Sequence, residues 1–212
     1  MVNSKKIAGE CATLRSKMAR GELGAAIAGI VLSYSPRDLQ QMRWNFSSSL
    51  QDISPGYRKR LEETITGHLH GTYQNLRLMH QQGAFSPMSE TVPDHQRGFW
   101  TMVDNQCSNG DGEEIRLRFL KFLLAGFCMF VQQLPGHPVG MPFPGGDKVE
   151  MIDGMYYCPV RNKANDVDAA LCPFCPALQT PEIGYLRPPL NATERRKQEF
   201  IRHCHTYHNF NG

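Results

Sequence analysis

Three cysteines in the last third of the chain have the types and spacing of metal ligands: Cys158, then Cys172 and Cys175 in Leu171-Cys172-Pro173-Phe174-Cys175-Pro176. A fourth, Cys204, follows inside His203-Cys204-His205-Thr206-Tyr207-His208. Two thiolates separated by two residues reach one ion from a single tight turn, and the neighbouring prolines stiffen that turn. Cys158 would add a ligand from a separate element and so close a clasp across the intervening loop. A structural zinc ion takes four such ligands in a tetrahedron, with Zn–S near ~2.3 Å. The expected metal set is therefore Cys158, Cys172, Cys175 and Cys204, holding Zn2+. His137, His205 and His208 compete with Cys204 for the fourth position. Four thiolates also suit a [4Fe-4S] cluster, and spacing alone does not choose between the two.

Two other readings use the same residues. Glutaredoxin-like proteins carry a Cys-Pro-aromatic-Cys turn whose first thiol is activated at a helix N-terminus. That motif should follow a strand early in a βαβ unit, whereas here it follows a polar loop late in the chain. Arg187, Arg195, Arg196, Lys197 and Arg202 outnumber Glu194 and Glu199 nearby, and a basic helix beside a zinc site is a nucleic-acid footprint. Few aromatic residues accompany it and the whole chain carries only +3, so a solvated charged face is favoured over a nucleic-acid partner. Lone cysteines such as Cys11 and Cys128 read as buried small hydrophobes. His68 and His70, two residues apart, do not share a helical face and read as surface or packed side chains. No nucleophile elbow, His-Glu-x-x-His pair, phosphate loop or dinucleotide fingerprint is present, so no catalytic residue is assigned.

Composition narrows the setting. The chain has 212 residues, 41% of them apolar and 20% charged, enough to bury a core. Seven cysteines is an odd count, which argues against a fully paired disulfide framework. The polar start from Met1 to Glu10 does not resemble a signal peptide, and a reducing cytoplasmic setting is expected. Phe119 to Val131 is the most apolar run, but Lys121 interrupts it and it is too short to span a bilayer.

The elements that must position the cysteines follow from local signals. The expected fold class is mainly α: a helical body over 1–134, then a Pro/Gly connector, a β-hairpin with the cysteine knuckle, and a closing helix over 135–212, packed as one domain. Ser4 to Arg20 reads as a helix, broken at Gly21-Glu22-Leu23-Gly24 before a small-residue helix to about Ser33. Ser35-Pro36 and Ser54-Pro55 place an N-cap and a first-turn proline at two helix starts. In the second of these, Tyr57, Leu61, Ile65, Leu69, Leu76 and Met79 keep a spacing near 3.6 up to Gly83, while Gly67 and Gly71 mark close packing or a kink. Short and long helices are expected over Gln96–Asn105 and Glu113–Leu134. Four prolines and four glycines in 135–146 exclude helix there. Asp153-Gly154 is a hairpin turn between 148–152 and 155–160. Asn191 and Glu194 resemble a capping box opening a last helix to about Tyr207.

The runs His137-Pro138-Val139-Gly140-Met141-Pro142-Phe143-Pro144-Gly145-Gly146, Tyr157-Cys158-Pro159-Val160 and Leu171-Cys172-Pro173-Phe174-Cys175 together resemble an uncharacterised protein family of methanogenic archaea, domain-of-unknown-function family 2115. The resemblance is densest from Gly136 to Gln179, and Asn209-Phe210-Asn211-Gly212 is similar to the family's closing residues. It implies an archaeal cytosolic protein without an assigned activity. It carries over Cys158, Cys172 and Cys175, with His137 as a candidate fourth ligand. An anaerobic host would favour an iron–sulfur cluster, since oxygen would not select against one.

Overall fold

The computed structural model describes residues 4–108, 112–143, 146–162 and 171–181. Among them lie six α-helices: α1 (Ser4–Arg15), α2 (Arg20–Val31), α3 (Pro36–Ser49), α4 (Pro55–Gln81), α5 (Gln96–Ser108) and α6 (Glu113–Gly126). A three-stranded sheet follows, of β1 (Glu150–Ile152), β2 (Met155–Cys158) and β3 (Leu178–Gln179). The protein is mainly α. No helix among the described residues is long and apolar enough to cross a membrane.

Capping chemistry begins α3 as the sequence indicates. The Ser35 backbone N–H and hydroxyl both donate to Asp38 Oδ2, at 2.6 and 2.9 Å. The same carboxylate takes a two-pronged pair from Arg116 of α6, whose guanidinium also lies 4.4 Å from the Tyr34 ring centre. The Tyr73 hydroxyl of α4 donates to the Tyr34 carbonyl at 2.9 Å. One polar junction thus ties α3, α4 and α6 together. Burial pushes the Asp38 carboxyl up, but Arg116 and Ser35 overrule it and hold it at about 2.

The core of the body is aromatic. Phe99 of α5 meets Trp100, Phe122 and Phe130 with ring centres 4.8, 6.3 and 5.2 Å away, in edge-to-face geometry. Ile7, Cys11 and Leu14 of α1 join the same cluster. A second apolar cluster joins Phe46, Leu50 and Leu61 of α3 and α4 to Met141, Phe143, Val149, Cys158, Val160 and Ala177. It seats the sheet against those helices, and the Tyr57 hydroxyl adds a 2.8 Å bond to the Pro142 carbonyl.

Asp153 and Gly154 have φ of 50° and 78°, the paired positive values of a type I′ turn, and set the register Ile152↔Met155 and Glu150↔Tyr157. β3 pairs parallel to β2, with Tyr157↔Leu178 and Cys158↔Gln179. No sequence signal indicated this third strand.

Several expectations are corrected. The break between the first two helices falls at 16–19, and Gly21 lies inside α2. Its role is close approach: a Cβ there would stand 2.1 Å from the Phe85 carbonyl oxygen. Gly67 and Gly71 mark no close packing: nothing lies within 4 Å of an added Cβ at either, and α4 continues through both over its 27 residues. The apolar helix expected to reach Leu134 changes at Phe127–Val131 into a π turn, in which the Gln132 N–H reaches the Phe127 carbonyl at 3.0 Å. The helix expected over Asn191–Tyr207 lies outside the described residues.

These contacts give opposite signs for two glycine changes. Gly67→Ala should stabilise by about 0.5–1 kcal/mol, because the site is open and mid-helical. Gly126→Ala should cost about 1–3 kcal/mol, because its Cβ would stand 2.7 Å from the Trp100 ring. Urea midpoints of the two variants check both.

For Asp38, the folded carboxyl titrates below its unfolded value. Its stabilisation is therefore present above about pH 4 and lost as pH falls toward about 2. Asp38→Asn should cost about 2 kcal/mol at pH 7. The gap from wild type should close by about pH 2 in acid-unfolding curves.

Candidate metal centre

Cys158 ends β2, and the next residues turn back so that the Arg161 backbone N–H donates to the Cys158 carbonyl at 3.3 Å. Cys172 opens a single 3-10 turn, Cys172–Phe174, with Pro173 inside it, and the Cys175 N–H closes the turn on the Cys172 carbonyl at 3.1 Å. The Gly136 N–H donates to the Cys175 sulfur at 3.4 Å, bringing the Pro/Gly connector against the turn. The two cysteine segments are laced together by one backbone bond and two side-chain bonds. Thr180 N–H donates to the Cys158 carbonyl at 3.1 Å, Gln179 Nε2 to the Pro159 carbonyl at 3.0 Å, and Arg161 Nε to the Ala177 carbonyl at 3.1 Å.

All three thiols line one cavity of about 10 Å³, together with His137, Arg161 and Leu171. That is about the space one water molecule needs. Cys158 and Cys172 are buried, Cys175 half-buried. Burial pushes the Cys172 thiol up to about 12, with Cys158 and Cys175 adding to the rise and Arg161 opposing it. Burial likewise raises Cys158 to about 11, against the N–H donors of Val160 and Arg161. Each thiolate would thus repel the next, and a cation among them would reverse that repulsion.

Structure and sequence agree on the convergence of Cys158, Cys172 and Cys175, and the structure adds His137 to the same cavity, its ring edge-to-face with Phe143 at 6.2 Å. Among the described residues, however, no group of three or more His, Cys, Asp and Glu side chains is arranged so that it could hold a metal ion. Cys204, His205 and His208 lie outside the described residues, as do the basic positions Arg187, Arg195, Arg196, Lys197 and Arg202.

One constellation escaped the sequence. Cys128, read as an inert thiol, has polar neighbours on α4: Thr72 Oγ1 at 3.4 Å and His68 Nε2 at 3.8 Å. The two helices are far apart in the chain, so no spacing rule could have joined them.

Phe174, between the two turn cysteines, is the anchor of the site. Its ring meets Phe99 edge-to-face at 5.5 Å and passes over Gly98, where a Cβ would stand 3.3 Å away.

The fold and site define a mainly α protein with a cysteine-lined sheet seated on one part of a helical body. The chain belongs to the family described as "Uncharacterized protein conserved in archaea (DUF2115)", whose model matches residues 19–180. A UPF0305 protein of Methanopyrus kandleri is 34% identical over 85 residues, which cover 40% of this chain and 60% of that protein. One from Methanothermobacter thermautotrophicus is 35% identical over 115 residues, 51% of this chain and 74% of the relative. A Methanocaldococcus jannaschii relative is 23% identical over 144 residues, 68% and 85% of the two chains. The match thus spans less than two thirds of the Methanopyrus protein's length. No solved structure matches.

Phe174→Ala should cost about 2–4 kcal/mol, through the cavity left against Phe99. It should also speed alkylation of Cys172 under native conditions, by freeing the turn. Mass spectrometry after a timed iodoacetamide pulse reads the second effect.

Proposed function

We propose that this protein carries a structural Zn2+ clasp, with Cys158, Cys172 and Cys175 as thiolate ligands and a fourth group closing the tetrahedron. The observation that carries the reading is that three thiols from two separate segments reach one ion-sized cavity. The Gly136 N–H already directed at the Cys175 sulfur suits a thiolate, which is the ligand form. In the ion-free arrangement the set is not closed, so binding would draw the sulfurs inward and recruit Cys204, or His137 from the cavity wall. The ion would then hold the strand end and the Cys172–Phe174 turn onto the helical body, and its binding energy would be folding energy. No residue is catalytic in this role. The unpaired cysteines among the described residues fit a reducing compartment, and we place the protein in the cytoplasm.

The test is metal analysis with an absorption spectrum on protein purified without oxygen, repeated for Cys172→Ser. The expected result is a colourless spectrum with zinc bound, one equivalent of it at the clasp. The variant should lose that equivalent and more than about 4 kcal/mol of stability. Iron with acid-labile sulfide would replace the clasp by a cluster, and a metal-free, fully stable wild-type chain would end the reading.

A further inference from the structure

We propose that Cys128, His68 and Gln132 form a second cation site, separate from the cysteine cavity, taking a thiophilic ion of the Zn2+ class. Cys128 is buried, yet its sulfur is not wrapped in carbon as an inert core thiol would be. Thr72 Oγ1 stands 3.4 Å away, Gln132 Oε1 3.6 Å and His68 Nε2 3.8 Å. Thiolate and imidazole are preferred ligand types of zinc, and the amide oxygen of Gln132 is a harder, weaker third donor beside them.

The separations suit ligands sharing an ion. Bonds of about 2.3 Å to sulfur and about 2.05 Å to nitrogen at a tetrahedral angle put the two atoms about 3.5 Å apart, and a sulfur–oxygen pair about 3.6 Å apart. The observed 3.8 Å to His68 needs only a small inward movement, and the 3.6 Å to Gln132 needs none. Thr72 would serve as an outer partner, its hydroxyl donating to the thiolate.

The backbone at this point is specialised as well. Cys128 lies within the π turn Phe127–Val131, a rare element found mostly at functional positions. Gln133, just after it, has φ of 58° without being glycine. None of Cys128, His68, Thr72 and Gln132 lines the cavity shared by Cys158, Cys172 and Cys175. Cys128 closes the inner side while His68 and Gln132 are only half-buried, so three ligands leave a fourth position on the outer side. That is where a water or a substrate atom would bind, as in zinc sites that keep one coordination position open.

The probe is Co2+ added anaerobically to the full chain, read by its thiolate charge-transfer band and by stoichiometry. His68→Ala changes a half-buried side chain and should fold; circular dichroism checks this. The expected result is that His68→Ala and Cys128→Ala each bind one cobalt fewer than wild type, while Cys172→Ser keeps the His68-dependent equivalent. If Cys128→Ala does not fold, the His68→Ala result decides. Equal cobalt stoichiometry in wild type and His68→Ala overturns the site. A single cobalt lost in Cys172→Ser but kept in His68→Ala overturns it and leaves the clasp standing. A single cobalt lost in His68→Ala but kept in Cys172→Ser overturns the clasp and leaves this site standing.

Discussion

The edge-to-face contact between Phe174 and Phe99 is the interaction on which the arrangement of the cysteines depends. A two-stranded hairpin with a short parallel third strand cannot hold itself together in water. It needs a hydrophobic seat, and Phe174 supplies one from inside the cysteine turn itself. Because that ring lies between Cys172 and Cys175, whatever fixes it also fixes the direction of both sulfurs. Phe99 is in turn held by Trp100, Phe122 and Phe130. The rigidity of the aromatic core is thus transmitted to the turn within a single side-chain contact.

A second tether acts from the other side. Cys158 belongs to the apolar cluster that packs β2 against Phe46, Leu50 and Leu61, whereas Leu171 and Phe174 pack on the main helical core. Cys175 touches both clusters. The cysteine cavity therefore sits at the seam between two packed regions, with one sulfur carried by one region and the others by the turn bound to the second. An ion at that seam would cross-link regions that are otherwise joined by van der Waals contact, the Tyr57–Pro142 bond and the backbone bonds lacing β2 to β3. The polar junction of Asp38, Arg116, Tyr34 and Tyr73 does similar work elsewhere in the body, holding α3, α4 and α6 with charge rather than apolar area.

What the sequence revealed follows a physical divide. Ser35-Pro36, Ser54-Pro55 and Asp153-Gly154 act through the backbone within a few residues, so their signals survive without any tertiary information. The cysteine trio was legible for the same reason in part: Cys172 and Cys175 share a turn, and Cys158 follows a hairpin. Glycine was the least readable residue. Gly21 is required by the Phe85 carbonyl, while Gly67 faces open space, and the identical side chain carries no trace of that difference. The π turn was hidden too, because Phe127–Val131 is as apolar as the helix it interrupts. The β2–β3 pairing depends on where the Cys172–Phe174 turn docks, which contacts distant in the chain, Phe99 and Gly98 among them, decide.

The cysteines carry this divide to its end, since one residue type serves three environments here. Cys11 and Cys107 lie in the main core between α1 and α5, and burial raises both thiols. They are small hydrophobes, and their neighbours ask nothing more of them. Cys158 and Cys172 are raised by burial but also by the other cysteines of the trio, a cost that packing alone gives no reason to retain. Cys128 is as buried as Cys11, yet it faces a hydroxyl, an imidazole and an amide. Burial therefore does not separate a structural thiol from a chemical one. The neighbours do, and in this fold they come from α4 and from Gln132 for Cys128, and from the Pro/Gly connector and β2 for the trio. A thiol whose surroundings are polar or thiolate-rich has been given company that apolar packing would not select, and that is the physical ground for assigning it chemistry.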